Sequence, residues 1–143
     1  MHKFDINVFE LQTRSAPTPA AGADFIITPN AAERIELLAV TFTFDAAAAG
    51  ANRLIHMHHL NGTSDTQGTT AAGFIVANET INVECSQFME NQDLTTSFAT
   101  ITMPMPGNVY LELGDTWVSE VANIQALDEI QDIVFRCKVW MRL

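Results

Sequence analysis

The sequence predicts an all-β domain of antiparallel strands, arranged as a two-sheet sandwich or a barrel. Three observations carry that expectation. First, the longest alternating run lies near the end of the chain. There Ile133, Phe135, Cys137, Val139 and Met141 fall on one side, and Val134, Arg136, Lys138, Trp140 and Arg142 on the other. Side chains of a strand alternate with period two, so this run has one apolar face and one polar face that carries an aromatic. Second, turn-forming pairs such as Pro29-Asn30, Asn61-Gly62 and Gly114-Asp115 punctuate short apolar runs, at the spacing of sandwiches and barrels. Third, no stretch shows the periodicity of an amphipathic helix. About eight strands result.

Taken in order, residues 3–11 alternate, with Phe4, Ile6 and Val8 opposite Lys3, Asp5 and Asn7, and read as a strand. Residues 12–33 open with Pro17, Pro19 and Gly22 and have no sustained period. They are expected to form a long loop, or an extended arm that reaches a neighbouring subunit. Residues 34–44 are a clear strand, with Leu38, Val40, Phe42 and Phe44 on one face. The alanine-rich residues 45–51 are too short for an isolated helix and read as a loop. A strand over 52–60 closes on Asn61-Gly62, and the threonine-rich residues 63–72 read as a loop. Strands follow over 74–77 and 80–88, with Asn78-Glu79 as the turn between them. Residues 90–96 are a polar loop. The strand over 98–103 is stopped by Pro104 and Pro106, which cannot donate to a ladder. A strand over 109–113, the Gly114-Asp115 turn, a strand over 116–122 and a polar link over 123–132 lead into the final strand.

The totals bound the rest. At 143 residues the chain is expected to be one domain, 1–143, with a core of its own. Its formal charge is −10, and apart from Arg136, Lys138 and Arg142 its basic residues are scattered. Nucleic-acid binders need a basic patch, so no direct contact with DNA, RNA or anionic lipid is expected. Two cysteines, Cys85 and Cys137, are too few for a disulfide scaffold and read as buried thiols. The first residues lack the apolar segment of a signal peptide. No apolar run approaches the roughly 20 residues that span a bilayer. Synthesis in a cytoplasm is expected.

Few residues suggest chemistry. His56 and His58 lie on one face of a strand, next to His59, and such a pair can hold zinc if a third ligand joins it. The remaining histidine is His2, and no spacing nominates a carboxylate. The cluster therefore reads first as a polar sheet face or an interface, and no metal or other cofactor is expected. Asp128, Glu129 and Asp132 do not follow the EF-hand pattern and read as a solvated loop. Glu112 with Glu120, or Asp115 with Asp128, are nominal carboxylate pairs with nothing to set their separation. Nucleophile elbows, phosphate loops and dinucleotide fingerprints are absent, so the chain is not expected to be an enzyme. Trp140, beside Arg136, Lys138 and Arg142, reads either as an interface anchor or as a core tryptophan that covers one end of the sandwich.

Residues 33–62, ERIELLAVTFTFDAAAAGANRLIHMHHLNG, resemble a pattern of small tailed-bacteriophage structural proteins: a strand, a small-residue loop, then "N-R-x-V-x-L" and a turn ending in glycine. Pro104-Met105-Pro106, Gly114-Asp115, and Asn123-Ile124-Gln125-Ala126 before Asp128 resemble the same family, as does the closing Val139-Trp140-Met141. The resemblance covers about two thirds of the chain. Leu113 and Leu127 depart from it, standing where the pattern has proline and glycine, and Lys138-Val139 replaces paired glutamates. The resemblance implies a β-sandwich virion protein without catalytic residues, here expected to be jelly-roll-like. It implies a capsid decoration or cement protein on the virion surface, whose partners are the major capsid protein and copies of itself. Phe4, Ile6, Val8, Pro17 and Pro19 of the arm, with Arg136, Lys138, Trp140 and Arg142 of the last strand, are the expected interface. A head–tail or tail-fibre-base protein is the nearest alternative. A carbohydrate-binding β-sandwich module is the alternative of another class.

Overall fold

The computed structural model describes residues 8–141, which form eleven strands and one helical turn in two sheets. The expected interface residues Phe4, Ile6 and Arg142 lie outside the described residues. The strands are β1 (Glu10–Ser15), β2 (Ile26–Ile27), β3 (Glu33–Asp45), β4 (Leu54–Asn61), β5 (Ser64–Thr70), β6 (Thr80–Ser86), β7 (Gln92–Leu94), β8 (Thr100–Pro104), β9 (Tyr110–Leu111), β10 (Asp115–Ala122) and β11 (Glu129–Met141); the turn α1 (Thr95–Phe98) precedes β8. Three of the strands, β2, β7 and β9, have only two or three residues.

The larger sheet runs β1-β11-β3-β6-β8-β7, with β9 pairing the start of β3. The smaller runs β2-β10-β4-β5. Their inward faces share one core, a sandwich-like arrangement. Leu37, Val40, Phe42, Val83, Phe135 and Cys137 come from the larger sheet, and Ile27, Ile55, Met57, Trp117 and Val121 from the smaller. Phe25, just before β2, meets Phe42 of β3 edge-on, with ring centroids 5.1 Å apart. Burial of this apolar surface is the main force holding the layers together. Both cysteines are buried free thiols, and burial pushes the Cys85 thiol up to about 12, which leaves it inert.

The two long strands follow the alternation seen in the sequence except early in β3, where a break in register at Leu38 leaves that residue half-buried and puts Leu37 in the core instead. In β3 Leu37, Val40, Phe42 and Phe44 are buried, and in β11 Ile133, Phe135, Cys137 and Val139 are buried. The phase of β11 changes at Asp132, which has φ 54° and sits at a break in the register with β3. This bulge places both Ile130 and Ile133 in the core. The residues expected as a polar link thus begin the strand four residues earlier than Ile133, at Glu129. At the far end Met141 is exposed and Trp140 buried, the reverse of simple alternation.

Several expectations are corrected. Part of the expected arm is strand: Gln12–Ser15 lies in β1, paired with β11. The segment beyond it is tied to the body by Ala16 N–H donating to Ile133 O and Gly22 N–H to Asp128 O. The expected loop over 63–72 is largely β5, which makes a hairpin with β4 through Gly62 at φ 61°. It is an edge strand in which Thr66 and Thr70 are exposed and only Thr69 is buried, so no buried alternation announced it. The expected strand over 74–77 is a single bridge, Arg53 with Ile75. The pairing is not wholly antiparallel, because β6 and β8 run parallel. Parallel neighbours need a crossover of about a dozen residues, and residues 87–99, with β7 and α1, supply it.

Candidate functional site

The outer face of the smaller sheet gathers the histidines. Alternation along β4 turns Ile55 and Met57 into the core and His56 and His58 outward, with ring centroids 5.1 Å apart. Register places Glu120 of β10 directly across from His56. On the other side Thr70 of β5 pairs with His56 and Gly68 with His58. The contacts follow that placement. His56 Nδ1 lies 2.8 Å from Thr70 Oγ1. His58 Nε2 lies 3.1 Å from Glu120 Oε2, and its Nδ1 3.2 Å from Asp65 Oδ2. Neither contact has hydrogen-bond geometry, and His58 Nδ1 is in addition a buried polar atom without a partner among the described residues. Ligand atoms of His56, His58 and Glu120 lie within 4.8 Å of one another.

Gly68 makes room for the rings. A Cβ there would stand 3.1 Å from His56 Cε1 and 3.0 Å from His58 Cβ. Asp24 lies just below this face, accepting from Ser119 Oγ and from Val121 N–H through Oδ1. Burial raises its carboxyl above the ordinary range. His59 turns to the opposite face, with Nδ1 2.7 Å from Thr66 Oγ1 and Nε2 3.8 Å from Asp115 Oδ1.

The sequence offered no reason to choose Glu120 or Asp65. Both come from neighbouring strands, and only the strand register brings them to the histidines. The nominal carboxylate pairs are engaged separately. Asp115 accepts from Glu112 N–H, whereas Glu120 faces His58 and Asp128 faces Arg53.

A second constellation is structural. Asp128, expected in a solvated loop, is 1% exposed. It receives Arg53 Nε and Nη2 at 2.9 and 2.8 Å, Ala47 N–H at 2.7 Å and Gln125 N–H at 2.7 Å. Burial works to raise its carboxyl, but Arg53 and the two backbone donors outweigh it and hold it below the ordinary range. Arg53 also donates to the carbonyls of Ala47, Ala49 and Ala51. The alanine-rich loop is thereby wrapped around one guanidinium.

The structure places six of the expected interface residues. Val8, Pro17 and Arg136 are exposed, and Pro19 and Lys138 are half-buried. Trp140 is 8% exposed, so its ring is covered by its own chain, although on the outer face of the sheet and apart from the core cluster. Its cover was not foreseen: Phe9 lies 5.5 Å away and Tyr110 6.2 Å away, with Arg34 stacked 4.1 Å above Tyr110. Lys138 sits 5.0 Å over the Phe9 ring. These residues share the outer face because Leu11, Lys138, Glu36 and Tyr110 stand in register across β1, β11, β3 and β9.

Compared with known proteins, the chain matches no family model, no curated protein and no solved structure.

Proposed function

We propose that this is a structural protein of a tailed-phage virion, a capsid decoration or cement protein that binds the outer shell and bridges capsomers. The observation that carries the reading is the join between Arg53 and Asp128. Each belongs to a stretch that resembles phage structural proteins, and the two stretches lie far apart in the chain. Here they meet in a buried, bidentate ion pair, a framework role suited to a motif without catalytic residues. The finer jelly-roll reading is supported by how the chain alternates between sheets, from β1 to β2 to β3 to β4 and again from β9 to β10 to β11.

The means of attachment is β1. Among the described residues it is an edge strand, bonded to β11 on one side only, and Leu11 on it and Val8 and Phe9 just before it are exposed. An edge strand offers unpaired backbone groups to a neighbour, and β-strand addition uses them. Binding the assembled shell and not the free subunits stabilises the shell by mass action. The net charge of −10 suits an outer surface better than one facing packaged DNA. Neither tryptophan offers a sugar-binding platform, since Trp117 and Trp140 are both buried.

Co-sedimentation with empty capsid shells tests the proposal. Saturable binding in many copies, lost in Leu11→Lys, supports decoration of the shell through β1. A discrete ring that ignores shells would move the protein to the tail.

A further inference from the structure

We propose that His56, His58 and Glu120 bind a zinc-type divalent cation on the outer face of the smaller sheet, with Asp65 orienting His58 and a fourth position left open. Four observations converge on it. Three ligand atoms from two adjacent strands already lie within 4.8 Å of one another. Donors around a tetrahedral zinc stand about 3.3 Å apart, and the Glu120 side chain, 68% exposed, is free to swing the remaining distance.

The second observation is the position of His58 between two carboxylates. Glu120 faces Nε2 and Asp65 faces Nδ1. A neutral imidazole has one N–H and can satisfy only one of them, leaving a lone pair against the other. A cation on Nε2 removes the conflict: Glu120 becomes a ligand, and Nδ1–H donates to Asp65 once that exposed side chain turns into line. Carboxylate, imidazole and metal in that order is the usual way a metal-binding histidine is held.

Third, Thr70 already engages His56 Nδ1, which leaves Nε2 for a metal. Fourth, Gly68 keeps the space beside the His56 ring and the His58 Cβ clear of a side chain. Two nitrogens and one carboxylate oxygen favour zinc or a neighbouring transition ion over magnesium or calcium, which prefer all-oxygen shells. The site rests on no part of the virion reading and stands or falls separately.

The test is calorimetric titration of the chelator-stripped full chain with zinc, magnesium and calcium chlorides. His2 is replaced throughout by glutamine, because a histidine beside the amino terminus chelates metals by itself. The expected result is one zinc per chain and no response to magnesium or calcium. Glu120→Gln and His56→Gln should abolish the binding. Asp65→Asn should weaken it by roughly 10- to 100-fold, the usual cost of losing a partner that orients a ligand. Cobalt(II) should show the visible absorption of a tetrahedral site in the parent and not in Glu120→Gln. Absence of zinc binding to the parent would overturn the site. So would binding that survives Glu120→Gln in a chain whose circular dichroism and metal-free melting match the parent's.

Discussion

Two polar constellations in this small protein use the same kinds of residue to opposite ends. At the junction of the alanine-rich loop and the turn before β11, Arg53 and Asp128 are enclosed and every strong donor has an acceptor. On the outer face of the smaller sheet, His58 sits between two carboxylates and neither of its nitrogens has a properly directed partner. The first arrangement is complete within the chain. The second is complete only with a cation added. The difference teaches where to look for function: a satisfied buried charge holds a fold, and an unsatisfied one at a surface awaits a partner.

The comparison can be broken at either end. The largest effect is expected at the enclosed pair. Asp128→Ala leaves a guanidinium buried without its counter-charge, and stability should fall by about 3–5 kcal/mol, measured as a lower urea midpoint. An unchanged midpoint would show that water replaces the carboxylate freely. A smaller loss is expected at the edge of β1, where Arg14 grips the buried Glu33 through both guanidinium nitrogens. Arg14→Ala should cost about 1–3 kcal/mol, the penalty of an acceptor left unpaired.

Acid should expose the same dependence. Arg14 holds the Glu33 carboxyl below its ordinary range, as Arg53 does for Asp128 against the opposing effect of burial. A group whose folded value is depressed gives its stabilisation in full above its unfolded value, about 4. That stabilisation is lost as pH falls through the lower, folded value. Asp24, raised chiefly by burial, works with the opposite sign. Thermal melting between pH 6 and pH 2 should therefore show a steep acid loss in the parent and a shallower one in Asp128→Asn, which starts lower. Parallel curves would contradict the assignment. The smallest effect is expected at Glu120. Its carboxylate is largely in water, so without metal Glu120→Gln should move stability by no more than about 0.5 kcal/mol.

The sequence disclosed the parts of the fold in which one face is buried. The alternation of β3 and β11, the buried thiols and the Asn61-Gly62 turn were all legible, because a half-buried strand must repeat every second residue. Edges were not legible. β5 is largely solvated, with only Thr69 buried, and β7 is three residues long, so neither carries a period. Strand direction was hidden too, since a run such as 98–103 reads the same whether its neighbour is parallel or antiparallel. The bulge at Asp132 broke the phase that would have extended β11 back to Glu129. Of the candidate site, the spacing of His56 and His58 was visible and their carboxylates were not. Glu120 lies 62 residues beyond His58 and meets it only through the pairing of β4 with β10. Trp140 misled for a related reason: its cover comes from Phe9, Arg34 and Tyr110, on other strands or beyond them.

The most direct measurement is the melting temperature with and without zinc in three chains, all carrying His2→Gln: the parent, Glu120→Gln and Asp128→Asn. Two outcomes are predicted together. Glu120→Gln should melt with the parent in the absence of metal and lose the zinc-dependent rise. Asp128→Asn should melt lower and keep that rise. If zinc raises all three equally, or none, the contrast between an enclosed structural pair and an open metal-binding face is wrong.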